Sequence, residues 1–262
     1  MTLRFSKEIF MNKSEILQIF QKNQRLYEEV VADLIHKCPV SGTFVDCGAH
    51  LGDHTTNMLG RPEADMVIAI EAIPNLANRL KDRFKLESRL KILQTAIGKA
   101  EGQTEFNIAS NLMGYSGIMQ RDISSVSSWE KLTVVLTTLD RLMTESGTPS
   151  AVRLIKLDLE GGEYDALLGG RETIASHRPF IVFENGLAKS ANLYGYSWNE
   201  FSSLFEELDY VVYDFFGDRI DKKYWEAPLT TYMFVAVPAN SILSNWYAEE
   251  RLNIVSAIAK PI

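Results

Sequence analysis

The sequence predicts an α/β protein: a Rossmann-like sheet of about seven strands, mostly parallel, with an antiparallel terminal pair, helices on both faces and an N-terminal helical extension. Three observations carry this expectation. From Ser41 onward short apolar runs alternate with stretches of helical period, and such alternation builds parallel sheets buried on both faces. The first run leads into a glycine-bearing turn, VDCGAHLGDHT, from Val45 to Thr55. The last two runs have only a loop between them, which suits an antiparallel pair at a sheet edge.

Up to Lys37 the chain reads as helix. Ile16, Leu17, Phe20, Tyr27, Val30, Val31, Leu34 and Ile35 fall mostly on one helical face. Asn12 with Glu15 has the spacing of a capping box. Residues 1–40 are therefore expected as a helical extension or lid, and residues 41–262 as the main domain. Parallel strands are expected at Thr43–Cys47, Met66–Ile70, Leu90–Ile97, Val152–Leu157 and Phe180–Phe183. Pro74 opens a helix to Leu86, since proline suits a first turn. Further helices are expected at Glu163–Ser176, Trp198–Leu208 and Asn240–Glu250, with terminal strands at Tyr210–Phe215 and Thr231–Val237. Gln103–Thr138, with its SNLMGYSG piece, reads as an irregular, substrate-facing insertion.

Composition narrows the classes. The 262 residues are 46% hydrophobic and 23% charged, with net charge −7 and no block of Lys and Arg. A nucleic-acid or anionic-membrane surface would cluster basic residues. Cys38 and Cys47 are too few for a disulfide framework and lack metal-ligand spacing. They read as small buried hydrophobes in a reducing compartment. No secretory leader or membrane span is legible, so the expectation is a cytoplasmic protein.

The opening turn resembles a dinucleotide fingerprint but fails it, because Ala49 and His50 stand between Gly48 and Gly52. A pyrophosphate needs close backbone approach along the whole turn. A cofactor without one, such as S-adenosylmethionine, relaxes that demand, and Asp46 could favour its ammonium. Glu71 ends the second strand about twenty residues beyond the turn, where an acidic side chain accepts ribose hydroxyls. In IKLDLEGGEYDALLGG, Asp158 should emerge at the carboxyl end of its strand, the edge where ligands bind. Glu163 opens the next helix, where the dipole alone favours it. Asp158, Glu184 and Asn185 are three oxygen donors at neighbouring strand ends, a set suited to Mg²⁺. His50 and His54 could each act as a base. Tyr194, Tyr196, Trp198, Tyr224 and Trp225 could stack on a sugar ring, although aromatics near strand ends more often belong to the core or its rim.

FVDCGAHLGDHT, IAIEAIPN, LQTAIGKAEG, TTLDRL, IKLDLEGGEYDALLGG and RPFIVFEN, in that order over roughly residues 43–185, resemble the FkbM family of S-adenosylmethionine-dependent methyltransferases. The resemblance implies a class I methyltransferase fold and methyl transfer to oxygen on sugars, polyketides or related small molecules. It implies that Asp46, Gly48, His50 and Gly52 line the cofactor loop, that Glu71 meets the ribose, and that Ala96 and Ile97 lie beside the adenine. Asp158 and Glu160 match the acidic motif. Glu184 and Asn185, with Asp158, look like the metal ligands of catechol O-methyltransferases. Asp158, Glu184 and His54 are the expected catalytic residues, in that order. Two other readings stay open: a nicotinamide-dependent oxidoreductase, and a non-catalytic cofactor-binding module. The segment from Gly52 to Met66 leaves room for only a brief first helix.

Overall fold

The computed structural model describes residues 18–20, 23 and 25–258. The Asn12–Glu15 capping box, Ile16 and Leu17 lie outside the described residues. Helix α1 (Arg25–Lys37) buries Val30, Val31, Leu34 and Ile35, one stripe at three- and four-residue spacing. Strand β1 (Gly42–Cys47) leads into a short helix α2 (Asp53–Leu59), as the brief Gly52–Met66 segment requires. Strand β2 (Ala64–Ile70), helix α3 (Pro74–Arg83) and strand β3 (Leu90–Leu93) follow. After them come β4 (Ala96–Ile97), β5 (Gly102–Ala109), β6 (Trp129–Thr137), α4 (Leu139–Ser146) and β7 (Val152–Leu157). Then come α5 (Glu163–Leu168), α6 (Arg171–His177), β8 (Phe180–Glu184), α7 (Ala188–Tyr194) and α8 (Trp198–Glu207). The chain continues through β9 (Tyr210–Asp214), α9 (Lys222–Glu226), β10 (Met233–Pro238) and α10 (Ile242–Ile258).

The main sheet has seven strands in the order β3-β2-β1-β7-β8-β10-β9. Its members pair in parallel except β10, which runs antiparallel to both β8 and β9. Alternate residues feed cores on opposite faces. Val45, Ile155 and Ile181 meet α4 to α6 and α8, whereas Phe44, Leu154 and Phe180 meet α1, α2 and α10. Cys38 and Cys47 are buried free thiols whose ionisation burial opposes. Among the described residues, no helix is long and apolar enough to cross a membrane.

Three expectations need correction. The predicted strand Leu90–Ile97 is two strands: β3 stays in the main sheet, while β4 joins a second, three-stranded sheet of order β4-β6-β5. The region Gln103–Thr138 is not irregular throughout. Strands β5 and β6 pair antiparallel from Gly102↔Leu136 to Ala109↔Trp129. One face packs Phe106 and Val134 against Ala72, Ile73 and Leu76, and the other is open, with Val135 55% exposed. The predicted helix Glu163–Ser176 breaks at Gly169–Gly170. A Cβ on Gly169 would sit 2.2 Å from the Gly98 carbonyl oxygen, so the break lets the small sheet seat against the helices.

Candidate active site

Strands β2, β1, β7 and β8 are neighbours, so their carboxyl ends share one edge of the sheet. The turn after β1 closes onto β2. Gly48 N and Ala49 N donate to the Ile70 carbonyl at 2.9 and 3.0 Å, and His50 N donates to Glu71 Oε2 at 2.9 Å. Three successive N–H groups are thus turned towards β2, and none of them is free to cradle a pyrophosphate. Gly48 has φ 75°, and a Cβ there would lie 2.0 Å from the Asp158 carbonyl oxygen. Only glycine lets the turn approach β7 so closely. His50 is itself left-handed at φ 50°, a conformation its bond to Glu71 helps to hold. Burial keeps its imidazole below the usual range, with Lys156 reinforcing and Asp158 opposing. Gly52 lies against Leu80 and Phe84 of α3.

Glu71 is only 6% exposed. Its Oε1 also accepts from Ile73 N at 2.8 Å, so one carboxylate stitches the glycine turn to the start of α3. Burial pushes this carboxyl up, against the two backbone N–H groups. Ala96 and Ile97 follow Thr95, whose N–H donates to the Glu71 carbonyl at 3.2 Å. Both side chains are buried, and both residues pair with β6.

Register builds the charged centre. Asp46 of β1 stands opposite Lys156 of β7. Asp46 is fully buried: its Oδ2 accepts from the Thr55 hydroxyl at 2.6 Å, and its Oδ1 lies 3.5 Å from Lys156 Nζ. Its oxygens are therefore not exposed for direct contact with a ligand. Lys156 Nζ also lies 3.2 Å from Asp158 Oδ2 and donates to the Gly48 carbonyl at 3.2 Å. Sequence reasoning gave Lys156 no role. The signal was a charge in a strand that is apolar apart from it and Arg153 and is covered on both faces, where only a partner makes burial tolerable.

Asp158 keeps 31% of its side chain exposed. Burial alone would raise its carboxyl, but the Lys156 charge and hydrogen bond win and hold it below the usual range, with Glu184 assisting. Glu184 is pushed well up by burial and then by Asp158, Glu160 and Glu163. Burial and like charge therefore disfavour the carboxylate form of Glu184, whereas Lys156 favours that of Asp158. Glu160, at φ 58°, forms an ion pair with Arg121, whose guanidinium lies 5.3 Å from the Tyr115 ring centroid. Tyr115 and Arg121 belong to the β5–β6 loop, which sequence reasoning treated only as an undivided insertion. Glu163 is fully buried. Its Oε1 accepts from Leu159 N and Gly161 N at 2.7 and 3.1 Å while Oε2 has no hydrogen-bond partner, and burial pushes the carboxyl up to about 7. It shapes the turn that presents Asp158. His54 Nε2 meets Glu28 Oε2 of α1 at 2.7 Å, and His54 Nδ1 is buried without a partner.

The predicted metal set does not assemble. Asn185 is 1% exposed; its Oδ1 accepts from Leu187 N at 2.7 Å and its amide nitrogen donates to the Tyr196 hydroxyl at 3.1 Å. That amide shapes the turn after β8. The Lys156 ammonium lies 3.2 Å from Asp158 Oδ2, where its charge opposes a second cation. Among the described residues no group of three or more His, Cys, Asp or Glu is spaced to hold a metal ion. The donor chemistry does not fit Mg²⁺. The aromatic platform also needs correction. Tyr196 stacks on Tyr164 at 4.2 Å between centroids, and Trp225 packs on Trp198 and Phe201. Tyr224 donates its hydroxyl to Asp214 at 3.0 Å. Tyr196 and Trp225 belong to the core, and Tyr194, Trp198 and Tyr224 pack against it.

Residues 46–214, more than half of the chain, match the family described as the methyltransferase FkbM domain. Over 173 residues, 61% of this chain and 68% of the relative, the sequence is 27% identical to the 2-O-methyltransferase NoeI of Sinorhizobium fredii. The fold is similar to the crystal structure of methyltransferase FkbM from Methylobacillus flagellatus KT, with TM-score 0.50 and 17% identity. That match covers 87% of this chain and 56% of the other, so the chain spans little more than half of that protein's length.

Proposed function

The chain belongs to the FkbM methyltransferase family, and from that premise we propose that it is an S-adenosylmethionine-dependent O-methyltransferase acting on a hydroxyl of a small molecule or glycan. The observation that carries the reading is Asp158, a carboxylate kept ionised by Lys156 and open to solvent at the ligand edge of the sheet. The name of the NoeI relative supports oxygen as the acceptor atom.

The cofactor supplies an electrophilic sulfonium methyl. The chain's own residues bind, orient and take a proton. Glu71 uses one lone pair on each oxygen for backbone N–H groups and keeps acceptor capacity for ribose hydroxyls. Asp158 would take the proton of the acceptor hydroxyl, leaving the hydroxyl oxygen free to receive the methyl group that the bound cofactor would supply. Burial and neighbouring carboxylates disfavour the charged form of Glu184, and the free nitrogen of His54 is buried, so both rank behind Asp158. The Glu28–His54 contact ties α1 to the helix after the glycine turn, which supports a helical extension ahead of a methyltransferase domain at residues 41–262.

The nicotinamide reading is disfavoured by the turn, whose N–H groups at 48, 49 and 50 are already used. Calorimetry with S-adenosylmethionine and, separately, NADH separates the two. Mass spectrometry of a host-cell extract incubated with labelled S-adenosylmethionine then reveals the acceptor and separates an enzyme from a binding module. Absence of S-adenosylmethionine binding would overturn the proposal.

A further inference from the structure

We propose that Lys156 is a positioning residue that clamps the acceptor-facing carboxylate of Asp158 to the cofactor loop through one buried cation. The inference rests on the reading of Asp158 as the group that takes the acceptor's proton. It begins with strand geometry. Parallel pairing of β1 with β7 sets Lys156 opposite Asp46. Along β7, Lys156 and Asp158 flank Leu157, and residues two apart share a face. One lysine therefore stands between two aspartates from different strands.

An ammonium has three donors and no acceptor. Asp158 Oδ2 and the Gly48 carbonyl lie 3.2 Å from it, and Asp46 Oδ1, which has no hydrogen-bond partner, is a charge neighbour at 3.5 Å. At 3% exposure, water does not compete for these positions. Burial alone would strip its proton, and the charges of Asp158 and Asp46 hold it in place. The two carboxylates differ in one respect that matters. Asp46 is fully buried and also held by Thr55, whereas Asp158 faces outward. The cation thus has one structural anion behind it and one chemical anion in front. Because the same Nζ holds the Gly48 carbonyl, the cofactor turn and the proton acceptor share an anchor. Alignment of donor and acceptor is what a methyl transfer most needs.

The neighbourhood makes the lysine indispensable for charge. Glu160 and Glu163 in the following turn and Glu184 on β8 all act on Asp158, as does His54 after β1. His50 on the cofactor turn lies within reach of both Asp158 and Lys156, and Glu28 of α1 acts on Lys156. Without Lys156 an acidic cluster remains, and Asp158 must take up a proton to relieve it.

The test follows the carboxyl carbons of the full chain by NMR, with ¹³C-labelled aspartate and glutamate, from about pH 4 to about pH 9. In the wild type the Asp158 carboxylate is expected to stay ionised throughout. In Lys156→Met it is expected to titrate within that range, above an ordinary aspartate. The same variant is expected to bind S-adenosylmethionine at least about tenfold more weakly, since a charge-assisted hydrogen bond to the turn is lost. A wild-type Asp158 that titrates at or above the ordinary value overturns the proposal, whether or not the variant folds. So does a folded Lys156→Met variant with an unmoved Asp158. A wild type that binds no S-adenosylmethionine refutes the functional reading instead, and the carboxyl titration separates the two failures.

Discussion

Replacing Glu71 tests how far one carboxylate organises the site. Its two oxygens accept from His50 N at 2.9 Å and Ile73 N at 2.8 Å, in a side chain 6% exposed. In Glu71→Ala both N–H groups lose their partner. An unsatisfied buried donor costs about 1–3 kcal/mol, so the pair should cost about 2–6 kcal/mol. For a chain of this size each kcal/mol lowers Tm by roughly 2–4 °C, which makes the loss easy to read in thermal and urea unfolding. Glu71→Gln should fall between alanine and wild type. Its amide oxygen satisfies one N–H, while its NH₂ opposes the other. S-adenosylmethionine affinity, measured by calorimetry, should fall in both variants, because His50 is released from its left-handed turn and a ribose acceptor is lost. A Glu71→Ala protein as stable as wild type within about 0.5 kcal/mol would refute the stitching role, since surface substitutions alone stay in that range.

Four further outcomes follow from the same geometry. Glu163 carries a buried carboxyl pushed up to about 7 from an ordinary 4.5. Between those values the unfolded state releases a proton that the native state retains, so stability should fall by about 3 kcal/mol as pH rises through that window. Glu163→Gln keeps the acceptor for Leu159 and Gly161, and urea unfolding against pH should show that slope flattened. Asp158→Asn, which keeps shape but cannot take a proton, should lower kcat by about 10²–10⁴ once an acceptor is found, with S-adenosylmethionine binding nearly unchanged. Gly169→Ala would drive a Cβ to 2.2 Å from the Gly98 carbonyl and should cost about 1–3 kcal/mol in thermal unfolding. Because Asn185 is turned away and Lys156 already neutralises Asp158, exhaustive chelation should leave turnover unchanged, and recovery on adding Mg²⁺ would sink that reading.

Most of the main sheet was legible because its strands are buried on both faces and written as apolar runs such as Thr43–Cys47 and Val152–Leu157. Strands β5 and β6 were not. They form an outlying sheet with one open face, so their alternation is diluted by polar residues and by exposed Val135. The helix break at Gly169–Gly170 was also hidden, because helical period runs through it and only the approach of Gly98 requires it. The positions of Glu71 and Asp158, just past strand ends, were readable from the apolar runs that precede them. Asn185 was misread, since an amide at a strand end gives no sign of whether it faces a ligand or its own turn.

By itself, the sequence determined the α/β class, the mostly parallel sheet with its antiparallel terminal pair, and the edge at which the acidic residues gather. These follow from local period and from the spacing of glycines and carboxylates along the chain. Only the tertiary structure decided what each carboxylate touches. Parallel register brought Lys156 opposite Asp46, 110 positions away in sequence. That cation then favours the charged form of Asp158, while burial and like charge disfavour that of Glu184. Charge partners that arrive from distant strands leave no periodic trace in a sequence, because their energy depends on distance and burial that the fold alone supplies.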